Sequence, residues 1–246
     1  LNRRAFMEHV LQRIHQQGQD YGNSEAGKGQ TITIDFSSPN IAKPLGVHHL
    51  CSTMIGNSIY RSFKALGYNV IGINHLGDWG TQFGVMLSAF MRWGDSIPED
   101  FTVNDLVGLY QRYSREMAED EAMAGEAREW FLKLEQGDEV AREHWNRFRE
   151  VSLKEFERVY ERLDVHFDSY AGESFYNDKM DEVLERIESA GLSKISRDAL
   201  VVDLEEYNMP PCILKKSDEA TLYATRDLAA IEFRKTEYEF DKNLYV

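Results

Sequence analysis

Residues Ser37–Thr53, SSPNIAKPLGVHHLCST, gather side chains that could do chemistry together. Ser38 and Asn40 offer donors and acceptors, Lys43 brings a cation, and His49 stands where a run of helical periodicity begins. The unpaired N–H groups of a helix N-terminus form an anion site, and a neighbouring Lys and His suit a polyphosphate. Pro39 and Pro44 stiffen the loop. The same residue types also serve an ordinary loop that caps its helix. His48 and His49 are adjacent, and at 3.6 residues per turn neighbours diverge by about 100°. They are poorly disposed to share a metal, and no metal site is expected.

A second group is acidic and aromatic. Tyr223 and Asp227 are four apart on a predicted helix and share a face. With Glu173 they could line a pocket for a guanidinium, whose planar fork of donors matches carboxylates. Asp227 could equally cap its helix or pair with Arg226. In GDWGTQFG, Asp78, Trp79 and Gln82 could touch a ligand, and Trp79 would serve a core as well. His9, His15, His144 and His166 fall in charged stretches and are expected to face solvent.

The elements that must hold these groups follow from periodicity. Phe6, Val10, Leu11 and Ile14 share one helical face. TITIDF alternates as a strand, Ile55, Ile59, Phe63 and Leu66 repeat as a helix, Gly67 sits where a C-terminal cap belongs, and NVIGIN is a short apolar strand. Strand, helix and strand make a βαβ unit, normally parallel. Residues from about 85 to 163 are mostly helical, with Thr102 and Asp105 as a capping-box-like start. VHFDSYAGESFY reads as a strand running into a loop. Met180, Val183, Leu184 and Ile187 form a helix ended by Gly191, the stretch near MPPC suggests small antiparallel hairpins, and a last helix leads to a strand at NLYV. The predicted fold is α/β: a Rossmann-type parallel sheet with a helical insertion at about 90–163 and a small β-rich insertion at about 193–222. Ligands of such sheets sit beyond the C-terminal strand ends. The segments Ser37–His49, Asn74–Gly84 and Tyr170–Tyr176 all fall there.

The totals narrow the function. A formal charge of −14 argues against a broad nucleic-acid-binding face on this stretch and suits a cationic or small polar ligand. Two distant cysteines, Cys51 and Cys212, form no disulfide framework, so a reducing compartment is expected. No run of about 18 apolar residues is present, so no membrane span is expected. The apolar, strand-like end and the charged helical start suggest a portion of a longer chain.

Taken together, FSSPNIAKP…HLCST…IG, INHLGDWGTQFG, GESFY and LYATRDLAA…FDKNLYV resemble arginyl-tRNA synthetase, a class I aminoacyl-tRNA synthetase, over nearly the whole sequence. The resemblance is to the catalytic part. It implies that an N-terminal add-on domain, a later KMSKS-type loop and an anticodon-binding domain lie outside these residues. The implied reaction is attack of L-arginine on the α-phosphate of ATP, with Mg2+ accompanying the nucleotide, then transfer of the arginyl group to tRNA in the cytoplasm. By the same resemblance, Ser38, Pro39 and Asn40 would hold the α-amino and carboxylate end of arginine. Glu173, Tyr223 and Asp227 would read its guanidinium. His49 would contact substrate and phosphates, with Lys43 assisting phosphate charge and Gly46 and His48 on the ATP side. Three departures stand out. The family pattern of aromatic-His-x-Gly-His-Leu is LGVHHL here, so Gly46 replaces the first signature histidine and His48 the glycine. Cys51 replaces a usual arginine, and SDEA replaces SDGT. They predict impaired ATP use, and hence an alternative reading as a non-catalytic paralogue that keeps the arginine pocket.

Overall fold

Isoleucines at 32 and 34 and Phe36 drive the chain into a central strand, and all three are fully buried. The structure, a computed structural model, describes residues 2–215 and 223–246; the SDEA stretch lies outside them. A first helix, α1 (Arg3–Gln17), is capped by Asn2 and buries no residue. Strand β1 (Thr31–Asp35) leads through the Ser37–Gly46 loop into α2 (Val47–Ala65), and Gly67 follows that helix at φ +83°. Strand β2 (Asn69–Ile73) pairs parallel with β1, and the last strand of the chain, β6 (Lys242–Tyr245), pairs parallel on the other side. The order β2-β1-β6 places β1 in the middle, which explains why Thr33 is buried as well as its apolar neighbours. Its hydroxyl donates to Asn243 Oδ1 at 2.6 Å.

Four helices follow β2: α3 (Gln82–Trp93), α4 (Val103–Met117), α5 (Glu121–Gln136) and α6 (Glu139–Leu163). The α4 cap forms as expected, with Thr102 N–H donating to Asp105 Oδ2 at 2.7 Å. Leu106, Leu134, Ala141, Phe148 and Phe156 are buried in one core with the sheet residues. Helix α7 (Met180–Ser189) precedes an antiparallel sheet of β3 (Ser193–Ser196), β4 (Ala199–Val202) and β5 (Cys212–Lys215). Arg197 and Asp198 both adopt positive φ in the tight turn between β3 and β4, the geometry of a type I′ hairpin. Helix α8 (Tyr223–Tyr238) returns the chain to β6.

Two expectations are corrected. Residues 165–170 form no strand. They make one bridge, Ile73 to Ser169, because the Asp168 carboxylate takes the Gly72 N–H at 2.7 Å that a neighbouring strand would take. His144 does not face solvent: it is half-buried against Phe90, with ring centroids 4.9 Å apart. No helix among the described residues is long and apolar enough to cross a membrane.

Candidate active site

Beyond the C-terminal ends of β1 and β2, three loops meet. The first leaves β1 under strain, with Ser37 at φ +71° and Ser38 at φ +46°, values uncommon for residues with a side chain. Hydrogen bonds hold the pair. Ser38 Oγ donates to Asp35 Oδ1 at 2.7 Å, and Asp35 Oδ2 accepts from Arg234 Nη2 at 2.8 Å. Ser37 Oγ lies 2.8 Å from the Tyr160 hydroxyl and 2.7 Å from Thr53 Oγ1, which lies 2.6 Å from the His49 carbonyl. That carbonyl can only accept, so the Thr53 proton goes to it and Ser37 donates to Thr53. Asn74 Nδ2 donates to the Tyr160 oxygen at 3.1 Å and completes the chain. Further on, Gly77 N–H donates to the Pro39 carbonyl at 3.1 Å, and Ala42 N–H donates to Ser152 Oγ at 2.8 Å. A Cβ on Gly77 would lie 1.9 Å from Asn40 Oδ1, so glycine is what lets the two loops touch.

Asn40, Lys43, Pro44, His48, His49 and Gln82 line one cavity of about 550 Å³. His49 Nδ1 accepts the Gly46 N–H at 3.0 Å, so the neutral ring carries its proton on Nε2. Burial and the neighbouring His48 lower its pKa, which favours that neutral form. The His48 ring lies tilted against that of His49, centroids 3.9 Å apart, and over Gly46, where a Cβ would come within 2.6 Å of it.

Asp78, from the second loop, is fully buried and its carboxylate is engaged. It accepts from Ser174 N at 2.8 Å, Ser174 Oγ at 2.9 Å and Arg149 Nε at 3.3 Å. Its place is beneath the third loop, not open to a ligand. Gln82 donates to the Trp79 carbonyl at 3.0 Å, and Trp79 is buried in the core. The Glu173 N–H donates to the Leu76 carbonyl at 2.9 Å, which seats the turn Glu173–Tyr176 on the second loop.

Glu173 sits among Arg226, Asp78 and Asp227. Burial pushes its carboxyl up to about 7, reinforced by the two aspartates and opposed by Arg226. Asp227 is also raised, chiefly by burial, with His75, Arg234 and Arg226 opposing. The Glu173 shift carries a sign for stability. The folded carboxyl binds its proton more tightly than the unfolded one, at about 4.5, so stability falls as pH rises from 4.5 to 7 and levels off above. Urea unfolding should therefore show a smaller loss between pH 5 and pH 8 for Glu173→Gln than for the unaltered chain. Equal losses would refute the burial of this charge.

The expected single pocket is divided. Asp227 and Ser38 line a cavity of about 570 Å³ with Asp35, His75 and Tyr245. Tyr223, at the start of α8 and 62% exposed, instead lines one of about 730 Å³ with Gln82, Glu135 and Arg226. Sharing a helix face with Asp227 did not suffice, because the first turn of α8 passes the end of α5 while the second faces the sheet. Asn40 belongs to the His49 cavity. Sequence reasoning missed Tyr160, Ser152, Arg149, Arg234 and His75. Only His75 lay inside a stretch already singled out. Among the described residues, no three His, Cys, Asp or Glu side chains are grouped to hold a metal.

Comparison with known proteins bears on the family and the fold. The family described as tRNA synthetases class I (R), catalytic domain, matches residues 9–246. The arginine–tRNA ligase of Alkaliphilus metalliredigens (strain QYMF) is 50% identical over 247 residues, covering 100% of this chain and 44% of the relative. That of Clostridium beijerinckii is 52% identical over 243 residues, covering 98% and 43%. The crystal structure of arginyl-tRNA synthetase from Plasmodium falciparum superposes with a TM-score of 0.75 at 34% identity, over 89% of this chain and 37% of that one. Thermus thermophilus arginyl-tRNA synthetase, at 21% identity and a TM-score of 0.66, shares the fold over 87% of this chain and 37% of its own. The chain spans less than half the length of the curated relatives it matches. With its motifs, its parallel sheet and the match along nearly its whole length in agreement, the chain belongs to the class I tRNA synthetase (R) catalytic-domain family.

Proposed function

We propose that this chain supplies the catalytic part of an arginine–tRNA ligase. ATP and L-arginine would give arginyl-adenylate and pyrophosphate, and the arginyl group would pass to tRNA in the cytoplasm. The observation that carries the reading is a pair of carboxylates at the end of a parallel sheet, a half-buried Glu173 and a more exposed Asp227, near enough that the Asp227 charge helps to raise the Glu173 pKa. Two such acids repel until a cation comes between them, and a guanidinium offers donors to both.

In this reading Ser38, Pro39 and Asn40 receive the α-amino and carboxylate end of arginine. Glu173, Tyr223 and Asp227 read the guanidinium, and the first turn of α8 would have to swing for Tyr223 to join. Asp78 and Gln82 act through the loops they hold. His49 and Lys43 face the phosphates, His49 donating from Nε2 and Lys43 offsetting developing charge, with Mg2+ arriving on the ATP. These residues bring arginine and the α-phosphate into line and stabilise charge, which is most of what this chemistry requires. Arginine-dependent ATP–pyrophosphate exchange, measured with the natural full-length protein and its tRNA, tests the assignment. Exchange stimulated by another amino acid and not by arginine would overturn it.

A second reading, a paralogue with impaired ATP use, is favoured by one feature. The imidazole of His48 lies over Gly46, at the mouth of the His49 cavity, where a nucleotide would rest against bare backbone. One phosphate partner is missing at position 46 and a ring obstructs position 48. A lost hydrogen bond to a charged group costs about 1.5–3 kcal/mol, about ten- to a hundredfold in rate. Gly46→His with His48→Gly should therefore raise exchange by at least about tenfold. Gly46→His alone should gain less, because its Cβ would come within 2.6 Å of the His48 ring, which would have to swing aside. Exchange that the double variant leaves unimproved would show that His48 already serves.

A further inference from the structure

One group in the Asp227 cavity has no part in the roles above. His75 directly follows the segment that leaves β2, and its ring lines the cavity with Asp227, Ser38 and Tyr245. Two neighbours compete for its Nδ1: the Ala171 carbonyl at 3.2 Å and Arg234 Nη2 at 3.4 Å. A carbonyl can only accept, so an unprotonated Nδ1 would set two lone pairs against each other at the shorter distance. Arg234 Nη2 gives one hydrogen to Asp35 at 2.8 Å, and its other hydrogen meets Nδ1 only at 3.4 Å, longer than the carbonyl contact. Nδ1 therefore carries the proton and donates to Ala171, which leaves the lone pair on Nε2. Nε2 has no hydrogen-bond partner among the described residues, and it is not among the buried polar atoms sealed from solvent. It is open to solvent, on a residue that lines the cavity.

The charge state is held as firmly as the tautomer. Burial lowers the His75 pKa; Asp35 and Asp227 oppose this, and the Arg234 guanidinium adds to it. A neutral imidazole with a free lone pair, in a cavity that Asp227 also lines, puts a second acceptor in the same space as the carboxylate. With nothing between them the two repel. A planar cation with donors on neighbouring nitrogens satisfies both at once, whereas a lysine ammonium has no rigid fork to span them.

We propose that His75 Nε2 accepts a hydrogen bond from the substrate guanidinium and, with Asp227, fixes the plane in which the fork is held. His75 is then a specificity-determining residue of the arginine pocket. This rests on the reading of that pocket given above.

The test uses the natural full-length protein with its tRNA. His75→Met removes the acceptor while keeping an apolar side chain of similar reach. It should raise the KM and Kd for arginine by about ten- to a hundredfold and leave the KM for ATP unchanged. His75→Gln puts an amide oxygen near the place of Nε2 and should recover most of that loss. Asp227→Asn is the control for the pocket. If Asp227→Asn weakens arginine binding and His75→Met does not, the ring only fills space and the proposal falls. It also falls if Met and Gln weaken arginine and ATP alike, which marks a structural defect. If Asp227→Asn itself leaves arginine binding unchanged, the pocket reading fails and His75 fails with it. A second measurement needs no variant. In histidine-labelled protein, nitrogen NMR should find His75 protonated at Nδ1 and bare at Nε2, with the Nε2 resonance moving when arginine binds. A protonated Nε2 overturns the proposal.

Discussion

Methionine in place of Arg234 should lower the unfolding free energy by about 3–5 kcal/mol, the usual cost of stranding one member of a buried ion pair. Arg234 is 1% exposed, and its partner Asp35 is nearly as deep, at the end of the central strand. One Asp35 oxygen takes Arg234 Nη2 at 2.8 Å and the other takes Ser38 Oγ at 2.7 Å. Without the guanidinium the carboxylate keeps a single neutral donor, with only 10% of its side chain open to solvent. The pair itself is worth much less than its rupture. Among the described residues Arg234 Nε and Nη1 have no hydrogen-bond partner, so the cation already carries an uncompensated desolvation cost. Arg234→Met combined with Asp35→Leu should therefore recover most of the lost stability in a double-mutant cycle. Coincident urea midpoints for Arg234→Met and the unaltered chain would remove the basis of this prediction.

Asp227→Asn should weaken arginine binding by at least about a hundredfold, since a buried guanidinium then loses a charged partner worth about 3–5 kcal/mol. Burial raises the Asp227 pKa, so its environment disfavours an unpaired negative charge and rewards a cation. The same logic sets discrimination. Citrulline cannot satisfy two acids as a cation and should be rejected strongly, and lysine should bind weakly for lack of the fork. Calorimetry on the full-length protein decides it. Equal affinity for arginine and citrulline would mean that carboxylates do not read this end of the substrate.

Much of the scaffold was legible because its causes are local. Ile32 and Ile34 make a strand by alternation, Thr102 and Asp105 make a cap by spacing, and Gly67 ends a helix by its own conformational freedom. Residues 165–170 were misread because Val165 and Phe167 alternate as a strand would. Phe167 does pack inward, against the rings of Phe36 and Tyr160, but the ladder hydrogen bond goes to a side chain, Asp168. The motif residues of the site could be found in the sequence, but not their division among cavities, which depends on how the start of α8 sits against α5. Tyr160 and Ser152 were invisible for a different reason. Each looks like an ordinary helical residue, and each meets its partner more than a hundred positions away. Asp78 had the right chemistry for a ligand contact, and only the positions of Ser174 and Arg149 reveal that its oxygens are engaged.

Helix α6 touches all three loops. Ser152 holds Ala42, Tyr160 holds Ser37 and Asn74, Trp145 Nε1 donates to the Asp78 carbonyl at 2.8 Å, and Arg149 Nη2 donates to the Tyr170 carbonyl at 3.3 Å. On the ribosome this sets an order of events. Chains grow from the N-terminus at about 5–20 residues per second, so β1, α2 and β2 are complete several seconds before Tyr160 is added. During that interval Ser37 and Asn74 lack their aromatic partner, Ala42 lacks its acceptor, and the strained turn at Ser37 and Ser38 has only Asp35 and Thr53 to hold it. The nascent βαβ unit thus emerges with a pliable rim, and that rim sets only when a helix translated much later docks across it.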